Sequence, residues 1–323
     1  MKKFLFNLFK WSLTIGLVWF ALHSIEDQTQ NLGEHFWHSF QNMNWSWIGL
    51  AFITLNTSFI LSTGQWWFLL RRQDIVLKPL KCIRLYYVGL FFNNFMPGNT
   101  GGDIKKIYDV NKDTKQLAAS VTATLSDRIF GLFALNLYSL IIGLCFFYST
   151  PKFNTLILPS LWIFLVMMFL FIAFYSTRIS SWFESRLRQF KLEYVASKFF
   201  SLRTSFQRYK GMKFWFKILI LAMTTQALRI LVFYFVSLGL GMTAEPIYYF
   251  YLIPIIGIVT ALPISIGGFG PREVLTQTLF AWCAMSSLDC LLMQIWALII
   301  FTSVSLLGGI DFAFSKRKIQ DQS

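Results

Sequence analysis

Charge is scarce in this sequence: 14% of its 323 residues are charged, against 55% hydrophobic and 19% aromatic. A soluble fold of this length has too little interior for that much apolar surface. Several apolar stretches approach or pass the ~18 residues that read as a membrane span. Period-two alternation in segments of about ten residues is missing, which excludes an outer-membrane barrel. Catalytic signatures are missing too. HExxH, GxSxG and a P-loop do not occur, nor does a paired-aspartate motif for metal-dependent phosphotransfer on lipids. No polar segment is long enough for a separate catalytic domain, so neither an enzyme nor a cofactor is expected. The cysteines Cys82, Cys145, Cys283 and Cys290 form no CxxC and mostly lie in apolar runs, as inert thiols. His35 and His38 stand at helical spacing with Glu34, but without a fourth ligand they predict no metal site.

What the chain does have is long apolar segments, near 4–25, 45–70, 85–96, 117–149, 156–176, 214–240, 247–284 (broken) and 288–312. The start "MKKFLFNLFKWSLTIGLVWFALHS" has the form of a secretory signal, yet with so many spans after it the reading is an uncleaved first helix. The net charge of +14 suggests nucleic acid until it is mapped. Lys152, Arg128, Arg229 and Arg272 aside, the basic residues fall in five stretches, at 2–10, 71–84, 105–115, 178–217 and 316–318. The positive-inside rule places these in the cytoplasm, with both termini, and the chain in a bacterial inner membrane. The intervening "EDQTQNLGEHFWHSFQNMN", "GMTAEP" and "SSLD" carry no basic residue and become outer loops. Trp37, Trp45 and Trp47 form an outer aromatic anchor, with Trp66 and Trp67 at the inner face. No nucleic-acid partner remains.

Two segments refuse a simple crossing. The one holding "NNFMPGNTGGDIKK" has basic flanks on both sides, and 247–284 has basic-free flanks on both sides. Each predicts a re-entrant hairpin, one from the cytoplasm and one from outside, buried inside the bundle because irregular backbone is not tolerated against lipid. The two share P-x-x-x-G-G, at Pro97, Gly101, Gly102 and at Pro263, Gly267, Gly268, 166 residues apart. Each half then has three crossings and the second is inverted. The expectation is a single all-α polytopic membrane domain over 1–323. It has about six transmembrane helices and two broken-helix hairpins in an inverted repeat, with halves at about 1–150 and 151–323. Broken helices at matching places in inverted repeats are the mark of a transporter core with its site between the repeats.

After each break a helix begins. Asp103 reads as an N-cap, and Gly270 with Pro271 as an N-cap and N1 pair. Free N–H groups and a positive dipole end, approached closely through Gly101, Gly102, Gly267 and Gly268, suit a phosphate or carboxylate. Arg272 adds a bidentate fork, Asn93 and Asn94 neutral hydrogen bonds, and Lys105 and Lys106 an anion-attracting mouth. Charges within spans are costly and face cavities or partners: Asp127, Arg128, Arg229, Arg272 and Glu273. Adjacent helix positions diverge, so Asp127 is a poor partner for Arg128, whereas Asp103 or Glu273 fits across the bundle. The basic segment 178–213 alternates cations with aromatics at helical spacing, as an interfacial amphipathic helix or pair able to hold anionic lipid headgroups, or as an ordinary connector.

"NNFMPGNTGGD", "LSDRIFGL" and "LPISIGGFGPREVL", in this order, resemble the lysylphosphatidylglycerol synthase transmembrane family of flippase-like proteins, over nearly the whole chain. The resemblance implies lipid movement between leaflets. It assigns family-like positions to Asn93, Pro97, Gly101, Gly102, Asp103, Asp127, Arg128, Gly267, Gly268, Arg272 and Glu273. No aminoacyl-transferase domain follows in "KRKIQDQS", so lysyl-lipid synthesis is not expected. The expected function is translocation of an anionic phospholipid or polyprenyl-phosphate lipid. The rival readings are a membrane enzyme or accessory subunit of envelope-lipid synthesis, and a coupled small-solute transporter. The partners expected are membrane lipids with anionic headgroups and envelope-lipid biosynthesis enzymes.

Overall fold

A backbone in hydrocarbon must pair its own polar groups, and only a helix does so within one segment. Helix is accordingly what the computed structural model contains throughout the residues it describes: 32–95, 100–146, 151–176, 181–182, 185–186, 189, 193–261 and 270–320. The expected first span at 4–25 lies outside these, as do Pro97, Pro263, Gly267 and Gly268.

The helices are α1 (Leu32–Asn42), α2 (Trp45–Arg72), α3 (Pro79–Phe95), α4 (Gly101–Thr114), α5 (Leu117–Cys145) and α6 (Pro151–Tyr175). They continue as α7 (Glu193–Phe206), α8 (Met212–Gly239), α9 (Pro246–Ala261), α10 (Pro271–Phe280) and α11 (Ser287–Gln320). Among the described residues α2, α5, α6, α8 and α11 are long and apolar enough to cross a membrane. The all-α polytopic expectation holds. The stretch expected as the first outer loop contains a helix instead. In α1, Phe36 and Phe40 stand one turn apart and both stack on Trp296 of α11, with centroids at 5.6 and 5.9 Å.

Helix order and length recur along the chain. α2 and α8 each have 28 residues, and α3 and α9 have 17 and 16. The packing recurs as well: α2 lies on α8, α3 lies on α11 as α9 lies on α5, and α4 folds back on α3 as α10 does on α9. α2 and α8 run antiparallel. The Asn44 N–H at the start of α2 donates to Gly239 O at the end of α8 (2.8 Å), and Arg72 at the far end covers Phe214. Halves related by two antiparallel helices are inverted relative to one another.

Lipid offers no hydrophobic drive between helices, so small residues bring backbones together. Ser58, Ser62, Ala222 and Thr225 are buried at the α2–α8 contact. An added Cβ on Gly102 of α4 would run into the Gly89 carbonyl of α3, and one on Gly308 of α11 into the Tyr87 carbonyl. The α3–α4 hairpin is closed at its base by Lys81 and Asp113, 2.6 Å apart. α11 is tied to α3 by the Arg84–Asp311 pair at 3.0 Å.

Two local expectations change. Thr100, not Asp103, holds the N-cap of α4, and Asp103 is the third helical residue. The amphipathic segment 178–213 lies partly outside the described residues. Its end is not merely interfacial: Phe206 closing α7 and Tyr209 just beyond it are buried, and Gln73 Nε2 donates to Ser205 O at 2.7 Å. Gly270 and Pro271 take the N-cap and first helical place of α10 as expected, and Gly270 has φ 88°, which favours glycine.

Candidate functional site

Where α3, α4 and α5 of one half meet α8 and α9 of the other, they enclose a cavity of about 290 Å³. Helical spacing decides what faces it. On α5 these are Asp127 and Arg128, with Gly131 one turn and Leu135 two turns on, on α4 Asp103 and Lys106, and on α8 Gln226 and Arg229. Asn93 enters from the end of α3, and Gly257 of α9 forms part of the opposite wall.

Three cations and two acids therefore share one cavity inside the bundle. Asp103 is the hub of the first group. It pairs with Lys106 at 3.1 Å and with Arg128, so the expected partnership of Asp103 and Arg128 is present. Lys106 is buried, with its ammonium 4.4 Å from the Tyr86 ring centroid and 5.4 Å from that of Trp66. Aromatic faces of this kind stabilise a cation that has left water. Asp127 accepts from Gln65 Nε2 at 2.9 Å and from the Tyr86 hydroxyl at 3.4 Å. Arg229 is held differently. It donates to Ser58 Oγ (3.1 Å) and Ser62 Oγ (2.8 Å) and lies 5.2 Å from the Phe59 ring centroid. Among the described residues its hydrogen-bond acceptors are neutral hydroxyls, and the Asp127 carboxylate acts on it through space and not as a bonded partner.

The cavity gathers Asn93, Asp103, Asp127, Arg128 and Arg229 from the residues singled out in the sequence. Others lie elsewhere. Asn94 donates to Ser305 of α11 at 2.9 Å. Gly101 and Gly102 are buried in the hairpin, and the Gly102 N–H is taken by Asn93 Oδ1 at 2.8 Å. Part of the donor set expected to face an anion is thus satisfied inside the protein. Arg272 and Glu273 do not line the cavity. They pair with each other at 2.6 Å although adjacent in sequence, because Glu273 turns back over the helix start, where its other oxygen accepts from the Gly270 N–H (2.7 Å). Lys106 was read with Lys105 as part of an open mouth. Only Lys106 points inward, and Lys105 pairs with Asp109 at 2.5 Å. Gln65, Tyr86 and the two serines carry no motif in the sequence. Their signal is weak: polar residues one helical turn apart within spans.

The charges do not obey the repeat. At the interval of 167 residues that separates Ser62 from Arg229, the positions matching Asp127 and Arg128 are Gln294 and Ile295. Gln294 donates to Thr276 at 2.6 Å, a neutral contact between α11 and α10. One half supplies most of the ionic cavity and the other supplies Arg229 and the opposite wall.

The sequence model of the family described as Lysylphosphatidylglycerol synthase TM region matches residues 7–308. No curated protein matches the chain.

Proposed function

The chain belongs to the lysylphosphatidylglycerol synthase transmembrane-region family, and from that membership we propose that it is a translocase for anionic lipids of the bacterial inner membrane. The observation that carries this reading is Arg229, a cation within a span, aimed into a cavity and held by neutral acceptors. A permanent charge in that place is costly unless it meets a partner, and a phosphate is a partner it can bind in a forked geometry. With Lys106 and Arg128 against Asp103 and Asp127, the cavity carries one excess positive charge, which a phosphodiester monoanion balances. Entry of the headgroup lets Arg128 and Lys106 share their bonds between Asp103 and phosphate, while the lipid's chains stay in the bilayer. The basic loops face the cytoplasm, and the inverted halves alternate the access of the cavity.

No catalytic step is assigned to these residues, so deletion is expected to alter the sidedness of a lipid and not membrane composition. The direct test uses proteoliposomes holding fluorescent phosphatidylglycerol or a labelled polyprenyl phosphate, with dithionite quenching to read transfer between leaflets. The wild-type protein speeds transfer, and Arg229→Ala slows it about tenfold or more, the worth of one charge-assisted hydrogen bond of ~1.5–3 kcal/mol. Transfer no faster than in empty liposomes for both lipid classes sinks the reading.

A further inference from the structure

Beside the charged cavity runs a second hollow of about 330 Å³ between α5, α6 and α7, with an almost wholly apolar lining. Leu125, Ile129 and Leu132 of α5 form one wall, and Met167 and Leu170 of α6 face them. Leu132 also lines the charged cavity, so the two hollows lie on adjoining strips of α5 and meet at that residue. Arg128 stands on the same helix within one turn of Leu125, Ile129 and Leu132, and about a third of its side chain is exposed (34%). The outer wall is thin. Only 6% of the apolar window of α6 is buried in the protein, against 33% for α5 and 56% for α11.

We propose that this groove holds a hydrocarbon chain of the same lipid whose headgroup occupies the charged cavity. The inference rests on the lipid reading of that cavity and adds where the tail goes. A lipid has a charged end and an apolar end joined covalently, and the two hollows present those two environments in contact. The groove suits a lipid tail better than a polar solute, because the Thr122 and Ser126 hydroxyls are the polar groups in an otherwise apolar lining and its outer wall is a helix with little of its apolar window buried. A small soluble anion needs only the cavity. The groove thus selects chain-bearing substrates and guides the chain along α5 while the headgroup crosses.

The test uses purified protein in proteoliposomes with phosphatidylglycerol carrying a diazirine midway along one chain. Diacylglycerol with the same labelled chain is run in parallel at equal mole fraction. After irradiation, peptide mapping is expected to find Ile129, Met167 and Leu170 labelled about tenfold more by phosphatidylglycerol, the preference one charge-assisted contact supplies. Leu170→Trp, which fills the groove from the lipid-facing helix, lowers labelling of Ile129 by a similar factor. Equal labelling by the two lipids overturns the proposal, since it leaves only bulk lipid against α6. Labelling unchanged in Leu170→Trp overturns it as well. Headgroup-dependent labelling in a protein that does not speed transfer supports the tail site while removing the translocase reading, so the two ideas fail separately.

Discussion

Ser58 Oγ donates to the Thr225 carbonyl at 3.1 Å, and these residues stand 167 positions apart, the same interval as Ser62 and Arg229. Trp45 and Met212, which open α2 and α8, and Pro79 and Pro246, which open α3 and α9, are separated by that interval too. Ser58 and Thr225 therefore occupy equivalent places on two antiparallel helices, and the axis relating the halves passes by their contact. At an axis, each residue meets its own counterpart. Serine beside arginine at the next equivalent pair is where the symmetry is broken chemically: Ser62 becomes a ligand for Arg229. The repeat builds the scaffold, and its departure from equality builds the charged side of the cavity.

The close approach of α3 and α4 rests on two glycines. A methyl group at Gly102 would collide with backbone at Gly89, not with a side chain able to move aside. Gly102→Ala is expected to cost at least the ~1–3 kcal/mol of an overpacked contact, read as a lower unfolding midpoint in mild detergent. Gly64→Ala provides the control, because nothing lies near its added Cβ and alanine is the better helix former. Equal stability of the two variants would show that the hairpin tolerates separation of its arms.

Asp103 holds two cations, so its removal strands both. Asp103→Asn is expected to destabilise the protein by about 3–5 kcal/mol, the usual cost of leaving a buried charge unpaired. Adding Lys106→Met should recover part of that loss, because the stranded ammonium is the more buried of the two partners. A double-mutant cycle in thermal unfolding measures this. Strict additivity would mean that Lys106 is stabilised by the Tyr86 and Trp66 rings alone.

The breaks that fold α3 against α4 and α9 against α10 were legible because glycine and proline interrupt helices wherever they occur. The cavity was legible in part. Charges within spans announce themselves by their cost, which is how Asp127, Arg128 and Arg229 stand out in the sequence. Which of two neighbouring lysines faces inward depends on helical phase against the packed arm, where the ring beneath Lys106 is that of Tyr86, twenty residues away. The Ser58, Ser62 and Gln65 contacts were hidden for a similar reason: serine and glutamine in a span are cheap enough to need no explanation. The helix α1 could have been found from Phe36 and Phe40, whose four-residue spacing fits one helical face.

The arrangement of the halves predicts a labelling pattern. Lys112 lies near the end of α4, where Lys81 and Asp113 close the hairpin beside the end of α2 that carries Arg71 and Arg72. Ser287 opens α11, close to Met285, whose sulfur is 3.9 Å from the Tyr249 hydroxyl at the start of α9. That is the opposite end of the bundle. In a background with Cys82, Cys145, Cys283 and Cys290 replaced, Lys112→Cys and Ser287→Cys are expected to react with a membrane-impermeant maleimide from opposite sides. Reaction of both from one side would be incompatible with inverted halves in the membrane.

Two arginines that look alike in the sequence are expected to behave differently. Arg272 already has a carboxylate partner, since its guanidinium lies 2.6 Å from Glu273 Oε1, and it does not line the cavity. Arg229 lines the cavity and is bonded to serine hydroxyls. Among the described residues, Arg272→Ala leaves Glu273 holding the Gly270 N–H alone, so its main effect should be a lower unfolding midpoint. Transfer should stay within about a factor of three of wild type, less than 1 kcal/mol of barrier. Arg229→Ala should show the reverse, with a small change in midpoint and a large loss of transfer, because it removes the group we propose to meet the headgroup. An equal loss of transfer in both variants would move the headgroup out of the cavity toward the α10 end of the second hairpin, and make Arg272 and Arg229 successive stations on its path.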